Sequence, residues 1–179
     1  LYFPIDMAQG QAEKPPLSDA WHPIHSIMGS TSDVVALETA FGATPIHRMR
    51  YHTMTLRPGD YPVALDPPFK GLEAYQPDTS DWRRLLPLQV AYEEEEVVLP
   101  GRSVNVSVSR STLIDSLQNQ LVFVAVHQGQ PVARVATNAR GFACDQIGGV
   151  YTVPAFRRSG IGTWLMTVLL ERIGESNRM

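Results

Sequence analysis

The residues best suited to chemistry lie at positions 150–163, where the sequence VYTVPAFRRSGIGT leads from an apolar stretch into an apolar helix. Gly160 and Gly162 lack Cβ atoms, so a bulky anion can approach the backbone closely. The first turn of a helix leaves several N–H groups without partners, and the helix dipole adds about half a positive charge there. Arg157 and Arg158 add mobile positive charge. The segment is therefore suited to binding a pyrophosphate.

Two glycines separated by one residue are weak evidence by themselves. Here they occur together with a preceding strand, with Pro154, with Arg157 three residues before Gly160, and with an apolar helix directly after. A dinucleotide-binding loop is disfavoured because Leu165 occupies the position of its third glycine. A Walker phosphate loop is disfavoured as well, because no Gly-Lys-Ser/Thr follows.

The pattern Arg157-x-x-Gly160-x-Gly162, preceded by Val-Tyr-Thr-Val-Pro, resembles the acetyl-CoA signature Arg/Gln-x-x-Gly-x-Gly/Ala of the GNAT N-acetyltransferase superfamily. The order of elements over residues 69–174 is similar to the first two-thirds of that fold. The resemblance implies an α/β (α+β) fold, with a mixed, mostly antiparallel sheet flanked by helices. It also implies an N-acetyltransferase that moves an acetyl group from acetyl-CoA to a primary amine by direct attack on the thioester, without a metal.

The resemblance further implies which residues bind acetyl-CoA, the acyl-donor substrate. The backbone of strand residues would contact the pantetheine arm, and one amide near Val150 would polarise the thioester carbonyl. The amides from Arg157 to Thr163 would hold the diphosphate. The implied cofactor-binding residues are Val150, Thr152, Val153, Arg157, Arg158, Ser159, Gly160, Ile161, Gly162 and Thr163.

A proton acceptor is harder to identify. In the family a carboxylate, a histidine or a water chain takes a proton from the attacking amine. Asp145 is a weak candidate because strand alternation can turn it away, and its neighbour Gln146 cannot take a proton. Glu93 to Glu96 either line a pocket for a cationic amine or form a solvated helix end. This leaves open a non-catalytic acyl-CoA-binding or regulatory module as the alternative function.

The elements that must position this segment follow from hydrophobic periodicity. We expect a strand at 71–75, a helix capped by Asp78 or Ser80 and kinked or divided at Pro87, and a short helix announced by a capping box at Thr112. A hairpin over 121–137 turns at Gln128 to Pro131. The prediction closes with a strand at 143–153 and a helix marked by Trp164, Leu165, Val168, Leu169 and Ile173.

The N-terminal part is predicted to be a separate element. Residues 1–20 are expected to be a flexible lead-in or a tag remnant, 21–66 a small α+β element and 67–179 the GNAT-like domain. Within the second segment we expect a strand at 25–29, a helix with Val34, Leu37 and Phe41 on its apolar face, a strand at 46–56 and a linker at 58–68. Ser32-Asp33 and Gly42 would cap the helix.

The expected family fold continues after the last helix with a strand, a helix and further strands, whereas this sequence ends at Met179. The predicted GNAT-like domain is therefore C-terminally incomplete. Three hypotheses follow: the chain is a fragment, residues 24–56 pack against the fourth strand or against a second chain in a homodimer, or residues 21–60 are the remnant of a degenerate N-terminal domain. The last is favoured over completion by residues 24–56.

Composition narrows the functional class. A net charge of −3 offers no basic field for nucleic acid, and no apolar run reaches the length of a membrane span. The single cysteine, Cys144, is expected to be buried and excludes an internal disulfide, which favours a cytoplasmic setting. The histidines at 22, 25, 47 and 52 lack an acidic or thiol partner for metal binding.

Overall fold

The computed structural model describes residues 26–175, apart from residues 43, 53, 58, 100, 142 and 143. The chain divides into two units, the first ending at Met54 and the second beginning at Thr55. The domain boundaries expected from the sequence stay a prediction.

In the first unit, helix α1 spans Thr31–Phe41. Gly42 ends it in the left-handed conformation, with φ 61°, and donates its amide to the carbonyls of Glu38 and Thr39, so the predicted C-cap is confirmed. The N-cap is Ser30 rather than Ser32-Asp33, because the Ser30 hydroxyl accepts from the Asp33 amide.

The two strands predicted beside α1 are wrong for the described residues. Residues 26–30 and the described part of 44–57 form no strand, while His22 and His25 lie outside the described residues. Ile46 and Met54 are almost fully exposed. The alternation of residue types there has no neighbouring strand to pair with, and alternation alone does not make a strand. The hypothesis that residues 24–56 complete the sheet loses the two strands on which it was based.

The second unit contains a four-stranded antiparallel sheet in the order β1-β2-β3-β4. A two-residue turn at Gln128 and Gly129, with φ of 49° and 77°, joins the central hairpin as predicted. The fold class and all four predicted strands of this unit are confirmed. The strands are β1 (Leu72–Tyr75), β2 (Val122–His127), β3 (Gln130–Arg140) and β4 (Asp145–Thr152).

Three α-helices flank the sheet: α2 (Trp82–Glu96), α3 (Val106–Asn119) and α4 (Ile161–Glu175). Pro87 lies inside α2 without dividing it, so of the two predicted outcomes, a kink or a division, the division is wrong. Pro87 is on the exposed side of the helix. The backbone carbonyl four residues earlier, which has no N–H to accept from, can therefore bond to water. Among the described helices, none is long and apolar enough to cross a bilayer.

Helix α3 is longer than predicted and begins six residues before Thr112. Asn105 is its N-cap, and the Asn105 side chain accepts from the amides of Ser107 and Val108. The alternating Val and Ser residues at 106–109 are weak helix formers, which concealed this start in the sequence. The Asn105 cap and burial of Ser109, Leu113 and Leu117 outweigh that low propensity.

The sheet buries a different apolar cluster on each face. Phe123 and Ala125 of β2 pack with Ile161, Leu165 and Leu169 of α4. The alternate residues Val122 and Val124 point to the other face and pack with Leu85 of α2 and Leu113 of α3. The burial of Ile161 and Leu165, each 1% exposed, fixes the first turns of α4 against the sheet.

The segment predicted as a linker at 58–68 instead packs, over residues 61–69, along α4, and we call these residues the strap. The Leu65 amide donates to the Thr167 hydroxyl at 3.1 Å. A Cβ added to Gly174 would lie 3.2 Å from Tyr61, and one added to Gly160 would lie 3.4 Å from Pro68. Gly160, Thr167 and Gly174, which are seven residues apart, thus form a shallow groove along α4 and the residue before it, and the strap lies in this groove. This packing was not predicted, because the prolines in the segment indicated a linker. The apolar residues Tyr61 and Phe69 nevertheless pack against the core.

Cys144 is exposed, contrary to the prediction that it is a buried hydrophobe. It precedes β4 and does not belong to the strand. The strand begins at Asp145, where the Arg140 side chain meets the carboxylate, so the preceding residue turns to solvent.

We predict that Thr167→Val lowers the free energy of unfolding by about 1 kcal/mol, because it removes the hydrogen bond to the strap and the one to the Trp164 carbonyl. Urea unfolding of the same protein measures this change. Thr163→Val is the matched control, since Thr163 is exposed in the same helix and forms no such bond within the described residues. Equal stability of the two variants would contradict the strap contact.

Candidate functional site

The loop between β4 and α4 presents a row of backbone amides. A short 3-10 turn, Pro154–Phe156, uses the amides of Phe156 and Arg157 for bonds to the carbonyls of Val153 and Pro154. The next internal bond is from the Trp164 amide to the Gly160 carbonyl, at 2.9 Å. Among the described residues, the amides of residues 158–163 have no hydrogen-bond acceptor. Six consecutive donors therefore remain at the start of a helix, where the dipole favours an anion.

The backbone conformation of this loop requires glycine at one point and a strained residue at another. Gly160 has φ 83° and Arg158 has φ 60°, both in the left-handed region. Left-handed residues within a turn bring successive N–H groups toward one side, a geometry that is typical of backbone anion sites. A side chain at Gly160 would also approach Pro68 of the strap. The glycine thus satisfies both the turn and the close packing.

Gly162 has a different reason to be glycine. It lies in the first turn of α4, with no positive φ, and a Cβ added there would lie 3.6 Å from the Thr152 hydroxyl oxygen. That is ordinary van der Waals contact, so the protein itself tolerates a methyl group at this position. What the missing Cβ leaves open is the approach of a ligand to the amides around it.

The Arg157 side chain is fixed rather than mobile, which corrects the expectation from the sequence. Its Nε donates to the Thr152 carbonyl at 2.9 Å, and its Nη2 donates to Glu95 Oε2 at 2.6 Å. The guanidinium also lies over the Tyr151 ring, 5.5 Å from its centroid. Arg157 therefore joins the loop to β4 and to the end of α2. Arg158 is exposed and forms no ion pair within the described residues.

We call Arg157, with its bonds to Thr152 and Glu95, the clamp. The clamp changes the pKa values of the groups in it and beside it. The hydrogen bond from Arg157 lowers the pKa of Glu95 below its ordinary value, and the same bond raises the pKa of Arg157. Burial raises the pKa of the Tyr151 hydroxyl, which lies 3.4 Å from Glu95. Glu95 therefore stays ionised as the partner of Arg157.

Of the acidic run at 93–96, two members have structural partners. Glu95 pairs with Arg157, and Glu93 accepts from Gln89 at 2.6 Å and from the Ser109 hydroxyl. Glu94 and Glu96 are exposed. This arrangement favours a helix end tied to its neighbours over an acidic pocket for a cationic amine.

Strand β4 carries a bulge next to the predicted thioester position. Gly148 pairs with Ala136 and Tyr151 pairs with Arg134, so Gly149 and Val150 together oppose the single residue between them. Gly149 has φ 61°, as a bulge of this kind requires. Val150 is 42% exposed, whereas Thr152 and Val153 are half-buried. The Val153 amide bonds to the Val132 carbonyl at 2.9 Å, so this predicted contact is already occupied.

Asp145 lies at the opposite end of β4 from the loop. Its carboxylate is 3.5 Å from Arg140 Nε, an ion pair across the end of the sheet. Five residues of extended strand separate Asp145 from Val150, roughly 16 Å at the usual rise. This geometry favours a structural role for Asp145. The catalytic role suggested from the sequence stays a prediction.

Sequence reasoning missed Arg134, which lies in the middle of β3 and is 6% exposed. The signal was a charged residue inside the run Val132 to Thr137, whose other members are all buried. A charged side chain at a buried position is rare unless it forms an ion pair or contacts a ligand. Tyr92 of α2 lies beside it, with the guanidinium 5.7 Å from the ring centroid.

The described residues contain no group of three or more histidine, cysteine or acidic side chains that could hold a metal. His47 and His52 are exposed.

Comparisons with known proteins give a family and a fold. The sequence model of the acetyltransferase (GNAT) family matches residues 66–178. A GNAT-family acetyltransferase of Staphylococcus aureus is similar in structure, with TM-score 0.50 and 11% identity over 60% of this chain and 69% of that one. A predicted acetyltransferase of Clostridium acetobutylicum, solved with acetyl-CoA, gives TM-score 0.48 and 18% identity over 60% and 77% of the chains. A search of curated proteins finds no match.

We predict that Arg157→Gln raises the pKa of Glu95 toward its ordinary value of 4.5, because the stabilising hydrogen bond is lost. A carboxyl with a lowered pKa adds stability above its ordinary pKa and loses that contribution as the pH falls through the lowered value. Carbon-13 NMR titration of the glutamate carboxyls measures the shift. Arg158→Gln is the control and leaves Glu95 unchanged. An unshifted Glu95 in Arg157→Gln would show that the clamp is absent in solution.

Proposed function

Because the chain belongs to the acetyltransferase (GNAT) family, whose sequence model spans residues 66–178, we propose that it transfers an acetyl group from acetyl-CoA to a primary amine. The observation that carries the proposal is the row of six amides at residues 158–163, for which the described part of the chain offers no acceptor. A doubly charged diphosphate matches such a row in charge and in hydrogen-bonding capacity.

In this proposal the loop and β4 bind different parts of acetyl-CoA. The amides of residues 158–163, from Arg158, Ser159 and Gly160 through Ile161, Gly162 and Thr163, bind the diphosphate, and the Arg158 side chain adds charge. The backbone of Val150 and Thr152 binds the pantetheine arm along the outer edge of β4. Arg157 acts as the clamp that keeps the loop in its open shape. Val153 supports the turn through its bond to Val132.

The proposed reaction is a direct acyl transfer. The neutral nitrogen of the acceptor amine attacks the thioester carbonyl carbon, and a backbone amide near Val150 stabilises the negative charge that develops on the oxygen. The carbon–sulfur bond then breaks and the coenzyme A thiolate leaves, while the proton lost by the nitrogen passes through water to the thiolate. The bulge at Gly149 turns this part of β4 away from a regular ladder, which supports the proposal that ligand rather than strand uses its amides.

We predict that Gly162→Val weakens acetyl-CoA binding at least about tenfold, because the branched side chain fills the approach to the amides while the helix itself tolerates a larger residue. Calorimetry with acetyl-CoA measures the affinity. Thr112→Val, at an exposed threonine of α3 outside the loop, is the control and binds within about twofold of the parent protein. Undiminished binding by Gly162→Val would refute the loop as the diphosphate site.

Release of coenzyme A with a panel of primary amines then tests the chemistry. Turnover with at least one amine supports the transferase. Tight binding of acetyl-CoA with no coenzyme A released by any amine would favour the alternative, a non-catalytic acyl-CoA-binding module.

A further inference from the structure

Arg134 is a buried cation without an ion-pair partner among the described residues. It is 6% exposed, and its Nε and Nη1 atoms are buried with no hydrogen-bond acceptor. Glu93 is near enough to act on it electrostatically but forms no ion pair with it, since the Glu93 carboxylate accepts from Gln89 and Ser109. A buried guanidinium without a counter-ion costs several kcal/mol in a protein interior. Such a group calls for an anion that the described residues do not supply.

An anion can reach Arg134 from the side of Gly149. On the sheet face covered by α2 and α3, the space beside Arg134 is a cavity of about 10 Å³ lined by leucines and valines, room for at most one water molecule. At the β4 bulge, by contrast, Nη2 lies 3.7 Å from the position that a Cβ on Gly149 would occupy. The Tyr92 hydroxyl lies 3.9 Å from the same position. Two polar groups thus border the space left by the missing side chain.

We propose that Arg134, with the Tyr92 hydroxyl beside it, binds a carboxylate of the acyl acceptor, so that the acceptor is a small molecule carrying both an amine and a carboxylate. The inference rests on the proposed function, because it takes Val150 as the residue at the thioester. Gly149 directly precedes Val150 in the bulge, so a carboxylate held there is within a few bonds' reach of an amine at the thioester carbon.

Two further features fit this assignment. The Arg134 guanidinium carbon lies 5.7 Å from the Tyr92 ring centroid, a cation–π distance, and this contact restricts the orientation of the fork of donors that a carboxylate recognises. Burial lowers the pKa of Arg134, yet guanidinium keeps its charge at neutral pH, so the site stays cationic. The bulge supplies the glycine that a close approach to Nη2 needs.

The test uses matched acceptors, each common amino acid and its carboxamide, with the full protein and saturating coenzyme A. Calorimetry under these conditions reads binding without turnover, and separate assays with acetyl-CoA in place of coenzyme A read kcat/KM from coenzyme A release. We expect the carboxylates to bind at least about tenfold more tightly than their amides, the usual weight of a charge-assisted hydrogen bond. Arg134→Met should reduce this preference to less than about threefold, and Arg110→Met, an exposed arginine of α3, should keep it.

Arg134→Met should fold, because it replaces an unpaired buried cation by an apolar side chain of similar length, and its unfolding midpoint without ligand should not fall. Gly149→Ala is the second variant: its methyl group would lie 3.7 Å from Nη2 and should reduce the preference while Arg134 remains. Because Gly149 has φ 61°, an alanine there also strains the bulge, so the unfolding midpoint of this variant is measured beside its binding.

Equal binding of carboxylates and amides by the parent protein, or a preference that survives in both Arg134→Met and Gly149→Ala, overturns the proposal. If acetyl-CoA fails to bind or no amine reacts, while carboxylates still bind through Arg134, then the proposed transferase function fails and the anion site stands.

Discussion

The structure depends on how the chain leaves the edge of an antiparallel sheet and enters a buried helix. Ile161 and Leu165 must be buried against β2 and β3, which fixes the axis of α4. The amides of its first turn then point away from the sheet, and within the described residues nothing accepts from them. A helix start with six free donors is costly in a dry interior and favourable at a surface that receives an anion.

Two contacts keep this junction open. Arg157 joins the loop to the Thr152 carbonyl and to Glu95 at the end of α2, and Pro68 of the strap lies against Gly160 on the other side. Neither contact uses an amide of residues 158–163. The loop is therefore supported by side chains and by packing, which leaves its backbone available. Preorganised backbone donors need little rearrangement when a ligand arrives.

Much of this architecture is readable from the sequence, because the periodicities of β2, β3, β4 and α4 agree with glycine and proline signals at their ends. The α3 start was missed since Asn105 precedes weak helix formers, and the strands beside α1 were predicted from an alternation that no partner strand supports. The clamp of Arg157 on Glu95 joins residues 62 positions apart. The burial of Arg134 similarly depends on which face of β3 meets α2. Contacts of this kind are set by tertiary packing, which local pattern does not encode.

The central claim is that the free amides at residues 158–163 hold the diphosphate of coenzyme A. Titration of the nitrogen-15-labelled protein with coenzyme A, followed by two-dimensional NMR of the backbone amides, tests it residue by residue. The account predicts that these six amides shift most, with downfield proton shifts typical of new hydrogen bonds, while the amides of the β2–β3 turn at Gln128 and Gly129 stay unchanged. Binding that leaves the six amides unshifted would contradict it.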